Sequence, residues 1–215
     1  MEFEIRPEAQ MVLDQVKRFI DEKIIPNEST FIEQAKSTPD GEDTPLMKEL
    51  RAEAKELGLW NLFLPDSEWG AGLTNNEYAA MCEYTGKSAP ASRVFNCNAP
   101  DTGNMEILLE FGTDEQKEKW LKPLLEGEIR SCFSMTEPDV SGADPTGIRT
   151  TAERDGDDWD INGHKWFTSG AIGAEFAIAM VVTNPQGAPH ERASMIIVPT
   201  YAPGFNLVRP VSVMG

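Results

Sequence analysis

Cysteine, histidine and positive charge are all scarce in this sequence. Three cysteines, Cys82, Cys97 and Cys132, stand far apart in 215 residues and form no CxxC pair, and only two histidines, His164 and His190, are present. That leaves little for a metal site or a disulfide framework. The three thiols read as reduced and buried, as in a cytosolic-type protein. Basic residues number 19 against 36 acidic ones, a formal net charge of −17. A surface of that sign repels a nucleic-acid backbone, although it leaves room for a local basic pocket around a small anionic ligand. No run approaches the ~20 apolar residues of a membrane span. Met1–Arg6 has no basic stretch leading into an apolar one, which excludes a standard signal peptide. For a bacterial protein the expected location is therefore cytoplasmic. No Gly-x-Ser-x-Gly, P-loop or dinucleotide fingerprint occurs, and no internal repeat.

What is present divides the chain near residue 130. Hydrophobic residues make up 40% and charged residues 26%, ordinary values for a soluble globular protein. Up to residue 129 the apolar period is helical. Pro7 suits an opening helical position, and Met11, Val12, Val16, Phe19, Ile20 and Ile24 recur until Pro26 stops the run. Thr44-Pro45 is a cap followed by proline, and Gly58 closes the stripe Met47, Leu50, Ala54, Leu57. Thr74 opens a third helix, and Thr102–Phe111 forms a fourth. Thr113-Asp114-Glu115-Gln116 is a capping box for a fifth, which Pro123 should kink or shorten.

From residue 130 the period falls towards two. Ser131–Met135, Arg149–Arg154, Trp159–Ile161, Lys165–Thr168, Phe176–Thr183, Ser194–Val198 and Phe205–Arg209 read as strands. Asp155-Gly156, Asn162-Gly163, Asn184-Pro185 and Pro203-Gly204 supply turns between them. The expectation is an α+β protein, with a helical domain over 1–129 and an antiparallel, barrel-like β domain over 130–215.

Two segments could carry chemistry. Phe133–Asp144 runs from a strand through Glu137-Pro138 into a loop of small residues, whose amides could approach an anion; spacing alone favours a structural linker. In Asn162–Gly170 the Asn-Gly pair signals a hairpin. On a strand Trp166 and Phe167 would then face opposite sides, one filling a core and the other lining a pocket, or both simply packing. The acidic stretches Glu42-Asp43 and Glu153–Asp160 read as solvated loop charge, and His164 as exposed.

In this order the two segments resemble the acyl-CoA dehydrogenase family. Its middle domain carries a Thr-Glu-Pro signature, here Thr136-Glu137-Pro138, and an aromatic strand about thirty residues on, here Trp166-Phe167-Thr168. Gly58–Pro65, Phe95–Glu106 and Gly112–Lys117 fit the same family, so the likeness spans the whole chain. The Asp-Val after the signature and the run Asn98-Ala99-Pro100-Asp101-Thr102-Gly103-Asn104 are most similar to the branch of human members ten and eleven and their bacterial relatives.

The resemblance implies FAD-dependent α,β-dehydrogenation of an acyl-CoA thioester to trans-2-enoyl-CoA, as in fatty acid β-oxidation. It implies an electron-transfer flavoprotein as acceptor, and a homo-oligomer when complete. Phe133, Met135, Thr136, Trp166, Phe167 and Thr168 would border the flavin, while Ser141, Gly142 and Ala143 would line its pyrophosphate side, Ala143 also meeting substrate. Ala143 departs from the serine usual there, a hydrogen bond worth ~1 kcal/mol. No catalytic base and no metal ligand is assigned: relatives carry the basic glutamate in a third, helical domain that is expected to be absent from this chain. The chain alone would then be inactive. An acyl-CoA oxidase and a non-catalytic binding module are the rival readings.

Overall fold

Helix α1 (Pro7–Phe19) starts on a proline whose missing N–H would have been unpaired in any case. Its buried stripe is Ala9, Leu13, Val16 and Phe19; Met11, expected on that stripe, is 61% exposed. A computed structural model gives this fold and describes residues 4–213. The first three residues, part of the stretch read for a signal peptide, and the last two lie outside the described residues. Judged by its internal contacts, the chain divides into two compact units, Met1–Glu128 and Ile129–Gly215.

In the first unit the run does not stop at Pro26. A π turn, Ile20–Ile24, and a 3-10 turn, Ile25–Asn27, carry it into α2 (Glu28–Ala35). The same device recurs ahead of Pro123, where α7 (Asp114–Gln116) passes through a π turn, Lys117–Leu121, into α8 (Lys122–Leu125). Proline cannot donate to the preceding turn and crowds its carbonyl; a widened turn accommodates both effects without ending the helical path.

Between them lie α3 (Pro45–Glu56), α4 (Asn75–Thr85), α5 (Ala91–Val94) and α6 (Asp101–Phe111). Thr44 caps α3 by accepting from the Met47 amide at 3.2 Å. Gly58 closes it at φ +72°, with Leu59 N donating to Ala54 O at 2.8 Å in a Schellman pattern. The Thr113–Gln116 capping box is present, and a second one joins Thr74 to Glu77. The core gathers Ile20, Ile24, Met81, Met105, Leu108, Leu121 and Leu124, with Phe19 and Phe95 edge to face at 5.5 Å. Cys97 lies in this buried set, and Cys82, expected buried, is exposed.

Five strands form one sheet among the described residues: β1 (Ser131–Ser134), β2 (Thr151–Asp155), β3 (Asp158–Asn162), β4 (Phe176–Val182) and β5 (Ala193–Pro199). Strand β4 is central, which explains its unbroken apolar run Phe176–Val182. β5 pairs antiparallel along its whole length, and the other edge is shared by β1, parallel over 176–179, and β2, parallel at Val182. Strands β2 and β3 form a hairpin across Gly156, at φ +63°.

The α+β organisation expected from the sequence is present, but the sheet is mixed and, among the described residues, no ladder closes it into a barrel. The segment Phe205–Arg209 joins no ladder; Phe205 instead packs on the Cys132, Ala174, Ala177 cluster, so its apolar character serves a core rather than a strand. A second cluster, Ala152, Ala179 and Val181, packs with Ile161, Ile196 and Val198.

Candidate functional site

Strand β1 delivers Phe133, half-buried and paired with Ile178, to the start of the Thr-Glu-Pro turn. Beyond Ser134 the ladder ends, and Met135, Thr136 and Glu137 lie outside named strands. The second segment also differs from expectation. Lys165–Thr168 is not a strand, and Asn162-Gly163 makes no hairpin: β3 ends at Asn162 and the chain runs on irregularly. Glycine is needed at 163 for proximity, since a Cβ there would lie 2.3 Å from Thr150 Oγ1 and 2.6 Å from Thr150 Cβ.

The two segments nonetheless meet. Trp166 N donates to Thr136 O at 3.1 Å, and the Thr136 hydroxyl donates to Trp166 O. That bond commits the hydroxyl's single proton, so its oxygen remains only as an acceptor. Trp166 and Phe167 do not face opposite sides. Phe167 adopts φ +48°, rare for a bulky side chain, and its ring stacks edge-on against Trp166 at 4.8 Å. Both residues are partly open to water, 42% and 51% exposed. Thr168 is half-buried and its carbonyl accepts from Ala171 N at 3.2 Å.

The small-residue loop folds back over the first segment. A Cβ on Gly142 would come within 2.6 Å of Thr136 Cγ2, so only glycine lets the loop backbone lie this close. Ser141 and Ala143 flank it, exposed, and the Ser141 carbonyl accepts from Asp144 N at 3.2 Å. Asp144 caps the short turn that follows, and the Thr146 side chain and amide hold its carboxyl below the usual carboxylate range.

Beneath this lies a polar cluster that sequence reasoning did not find. Glu137 Oε1 accepts from Lys165 Nζ at 2.8 Å, Thr150 N at 2.9 Å and Thr150 Oγ1 at 2.6 Å, while Oε2 accepts from Arg149 N at 2.8 Å. Burial pushes this carboxyl up, and the bonds from Lys165, Thr150 and Arg149 outweigh it and hold it at about 2. Lys165 also donates to Met135 O at 2.9 Å, and its burial draws the ammonium below its ordinary value despite Glu137. The one signal in the sequence was the Thr-Glu-Pro glutamate itself; Thr150 and Lys165 are distant from it and carry no motif. His164 is exposed and lines a cleft of about 290 Å³ beside this cluster, with Pro138, Asp139 and Arg149.

The other stretches quoted for the resemblance have a different job. Asn61 and Asn96, buried at φ +51° and +55°, direct their side-chain amides at the last carbonyls of α8: Asn61 Nδ2 to Leu125 O at 3.0 Å and Asn96 Nδ2 to Leu124 O at 3.2 Å. Trp60 Nε1 adds a bond to Leu125 O at 2.7 Å. They close a helix end.

Two family profiles account for nearly the whole chain, the acyl-CoA dehydrogenase N-terminal domain over residues 6–128 and the middle domain over 132–215. The chain belongs to the acyl-CoA dehydrogenase family. It is 45% identical to acyl-CoA dehydrogenase family member 10 of Mus musculus over 98% of this chain and 20% of that protein. To family member 11 of Homo sapiens it is 46% identical, over 96% of this chain and 27% of the relative. FadE2 of Mycobacterium tuberculosis is 44% identical over 100% of this chain and 53% of its own length. Among solved structures, an acyl-CoA dehydrogenase homologue from Mycobacterium abscessus superposes at a TM-score of 0.91, with 42% identity, over 99% of this chain and 55% of that one. The chain thus spans about half, or less, of the acyl-CoA dehydrogenase relatives it matches. Among its described residues no helix is long and apolar enough to cross a membrane.

Proposed function

We propose that this chain contributes the FAD-binding edge of an enzyme that converts an acyl-CoA thioester to trans-2-enoyl-CoA. The observation that carries the reading is the crossing of Thr136 and Trp166. Two segments of different origin are stitched side by side, with two exposed aromatic rings beside them. A soluble protein leaves such rings in water at a cost unless a flat apolar partner covers them. A solved glutaryl-CoA dehydrogenase of Mycobacterium smegmatis in complex with FADH2, 27% identical over 93% of this chain and 47% of that one at a TM-score of 0.71, supports the choice of cofactor.

The residues fit such a group. Trp166 and Phe167 offer ring faces and edges, Phe133 and Met135 a half-buried apolar flank, and Thr168 a hydroxyl. The Ser141, Gly142 and Ala143 backbone, free of bulk, suits close approach to a pyrophosphate. FAD, when bound, supplies the acceptor for the substrate's β-hydrogen. This chain's own part is to hold and orient, and to keep one side of the reacting atoms dry.

Removing the α-proton requires a carboxylate of ordinary or raised basicity. Glu137 does not qualify: held at about 2 with four hydrogen bonds, it is ionised but a weak base with occupied lone pairs. We propose, from the family resemblance, that the base lies in sequence outside these 215 residues and that an electron-transfer flavoprotein is the acceptor. Titrating FAD into the chain, followed by visible absorption and tryptophan fluorescence, tests the reading. Saturable weak binding that drops at least tenfold in Trp166→Ala is expected, with no enoyl-CoA formed. No saturable change would remove the cofactor from these residues; turnover by the chain alone would put the base inside it.

A further inference from the structure

The site sits where regular structure stops. Residues 135–137 follow the end of β1, and residues 163–168 follow the end of β3, so no ladder fixes their crossing. What brackets it is one side chain. Lys165 Nζ reaches Met135 O on one side of Thr136 and Glu137 Oε1 on the other, at 2.9 and 2.8 Å. Its neighbour Trp166 makes the paired bonds to Thr136 itself. Glu137 is in turn anchored by the Arg149 and Thr150 amides, and Thr150 O accepts from Val182 N at 2.7 Å, on the central strand. A continuous set of polar contacts therefore runs from β4 through Thr150, the Glu137 carboxylate and Lys165 to the Met135 carbonyl beside Thr136.

The chemistry of the pair matters as much as its position. The two side chains are 13% and 5% exposed, so both charges are nearly dry. A dry ion pair is commonly no more stabilising than a well-packed apolar pair of the same volume. What an apolar pair cannot supply is direction: an ammonium donating to two chosen oxygens fixes the offset between two irregular segments.

We infer that Glu137 and Lys165 are positioning residues for the cofactor edge, setting the offset of Thr136 against Trp166 without touching the cofactor. This rests on the cofactor reading proposed above. A site on irregular segments needs such support, because a binding group misplaced by an ångström loses most of its effect.

The test uses the full 215-residue chain as wild type, Lys165→Met, Lys165→Arg and the double variant Glu137→Gln/Lys165→Met. Three readouts are taken: amide exchange at Trp166 without ligand, FAD affinity by titration, and the urea midpoint. Lys165→Met should speed Trp166 exchange and weaken FAD at least tenfold, and Lys165→Arg should restore most of both. The double variant leaves no lone buried charge, so its urea midpoint should return towards wild type while the exchange and FAD defects persist. That split separates positioning from stability, and it holds even if Lys165→Met alone fails to fold. A double variant with wild-type exchange and wild-type FAD affinity overturns the inference. A wild-type chain that takes up no FAD overturns the cofactor reading and with it the positioning role; fast Trp166 exchange in the double variant would then mark the pair as a local clasp only.

Discussion

Among the described residues each unit buries one glutamate, Glu77 or Glu137, and holds it at about 2, yet the two carboxylates do different work. In the helical unit Glu77 accepts from Arg6 Nε at 2.6 Å and Nη2 at 2.7 Å, and from Thr74 N at 2.9 Å as half of a capping box. It ties the residue ahead of α1 to the first turn of α4, two helices that have their own starts and stripes. Its partner's side chain is 56% exposed, so water shares the charge. In the β unit Glu137 belongs to no named strand, and its partner's side chain is 13% exposed. Polar burial closes the ends of regular elements in one unit and stands in for regular structure in the other. The second use falls where the candidate site lies.

The largest effect should separate them most sharply. Lys165→Met leaves Glu137 charged and buried without its cation, a change that costs about 3–5 kcal/mol. Arg6→Met should cost clearly less, because solvent reaches that side of Glu77 and the Thr74 amide remains. Urea unfolding of both variants checks this, and equal losses would erase the distinction. Acid comes next. Glu137 has its folded value depressed to about 2 from 4.5, so its contribution is complete above pH 4.5 and is lost as pH falls from there through 2. The loss is on the order of 3 kcal/mol. Urea midpoints of wild type and Glu137→Gln, compared across that window, should converge as pH falls; parallel curves would assign the slope to other carboxylates.

How much of this was legible follows the same division. In the helical unit the sequence names its own boundaries, because Thr44, Thr74 and Thr113 cap locally and Gly58 terminates locally. What it hid there was the way past proline: Pro26 looks like a stop and Pro123 like a kink, and a π turn ahead of each keeps the helical path going. In the β unit the strands β1 to β5 could be read from alternation and the apolar run of β4, but pairing is non-local, so their mixed order could not. The site was half legible. Thr136 and Trp166 stand out by resemblance, whereas the period-two pattern between turn formers predicts a strand over Lys165–Thr168; tertiary bonds to Met135, Thr136 and Glu137 override it. Asn162-Gly163 carries the signature of a turn, but the small size of Gly163 serves contact with Thr150.

The close contact between Gly163 and Thr150 gives a direct probe of the β unit. Gly163→Ala would drive a Cβ into Thr150, whose hydroxyl and amide both hold Glu137. Overpacking of this kind costs about 1–3 kcal/mol, and disturbance of the anchor should also speed Trp166 amide exchange. A loss of stability without faster exchange would show that the cluster tolerates movement of Thr150.

The smallest effect belongs to the helical unit and decides whether its carboxylate is truly supported twice over. Thr74→Ala removes the hydroxyl that accepts from Glu77 N at 3.3 Å, and a lost cap costs about 0.5–2 kcal/mol. The Glu77 carboxylate keeps the Thr74 amide and the Arg6 fork, since neither passes through the lost hydroxyl. The change should therefore fall near 1 kcal/mol, with Thr74→Ser close to neutral, when urea midpoints are compared. A loss of the size expected for Lys165→Met would mean that cap, carboxylate and arginine stand or fall together. Glu77 would then be as indispensable to its unit as Glu137 is to its own, and exposure of the cation would no longer explain the difference between them.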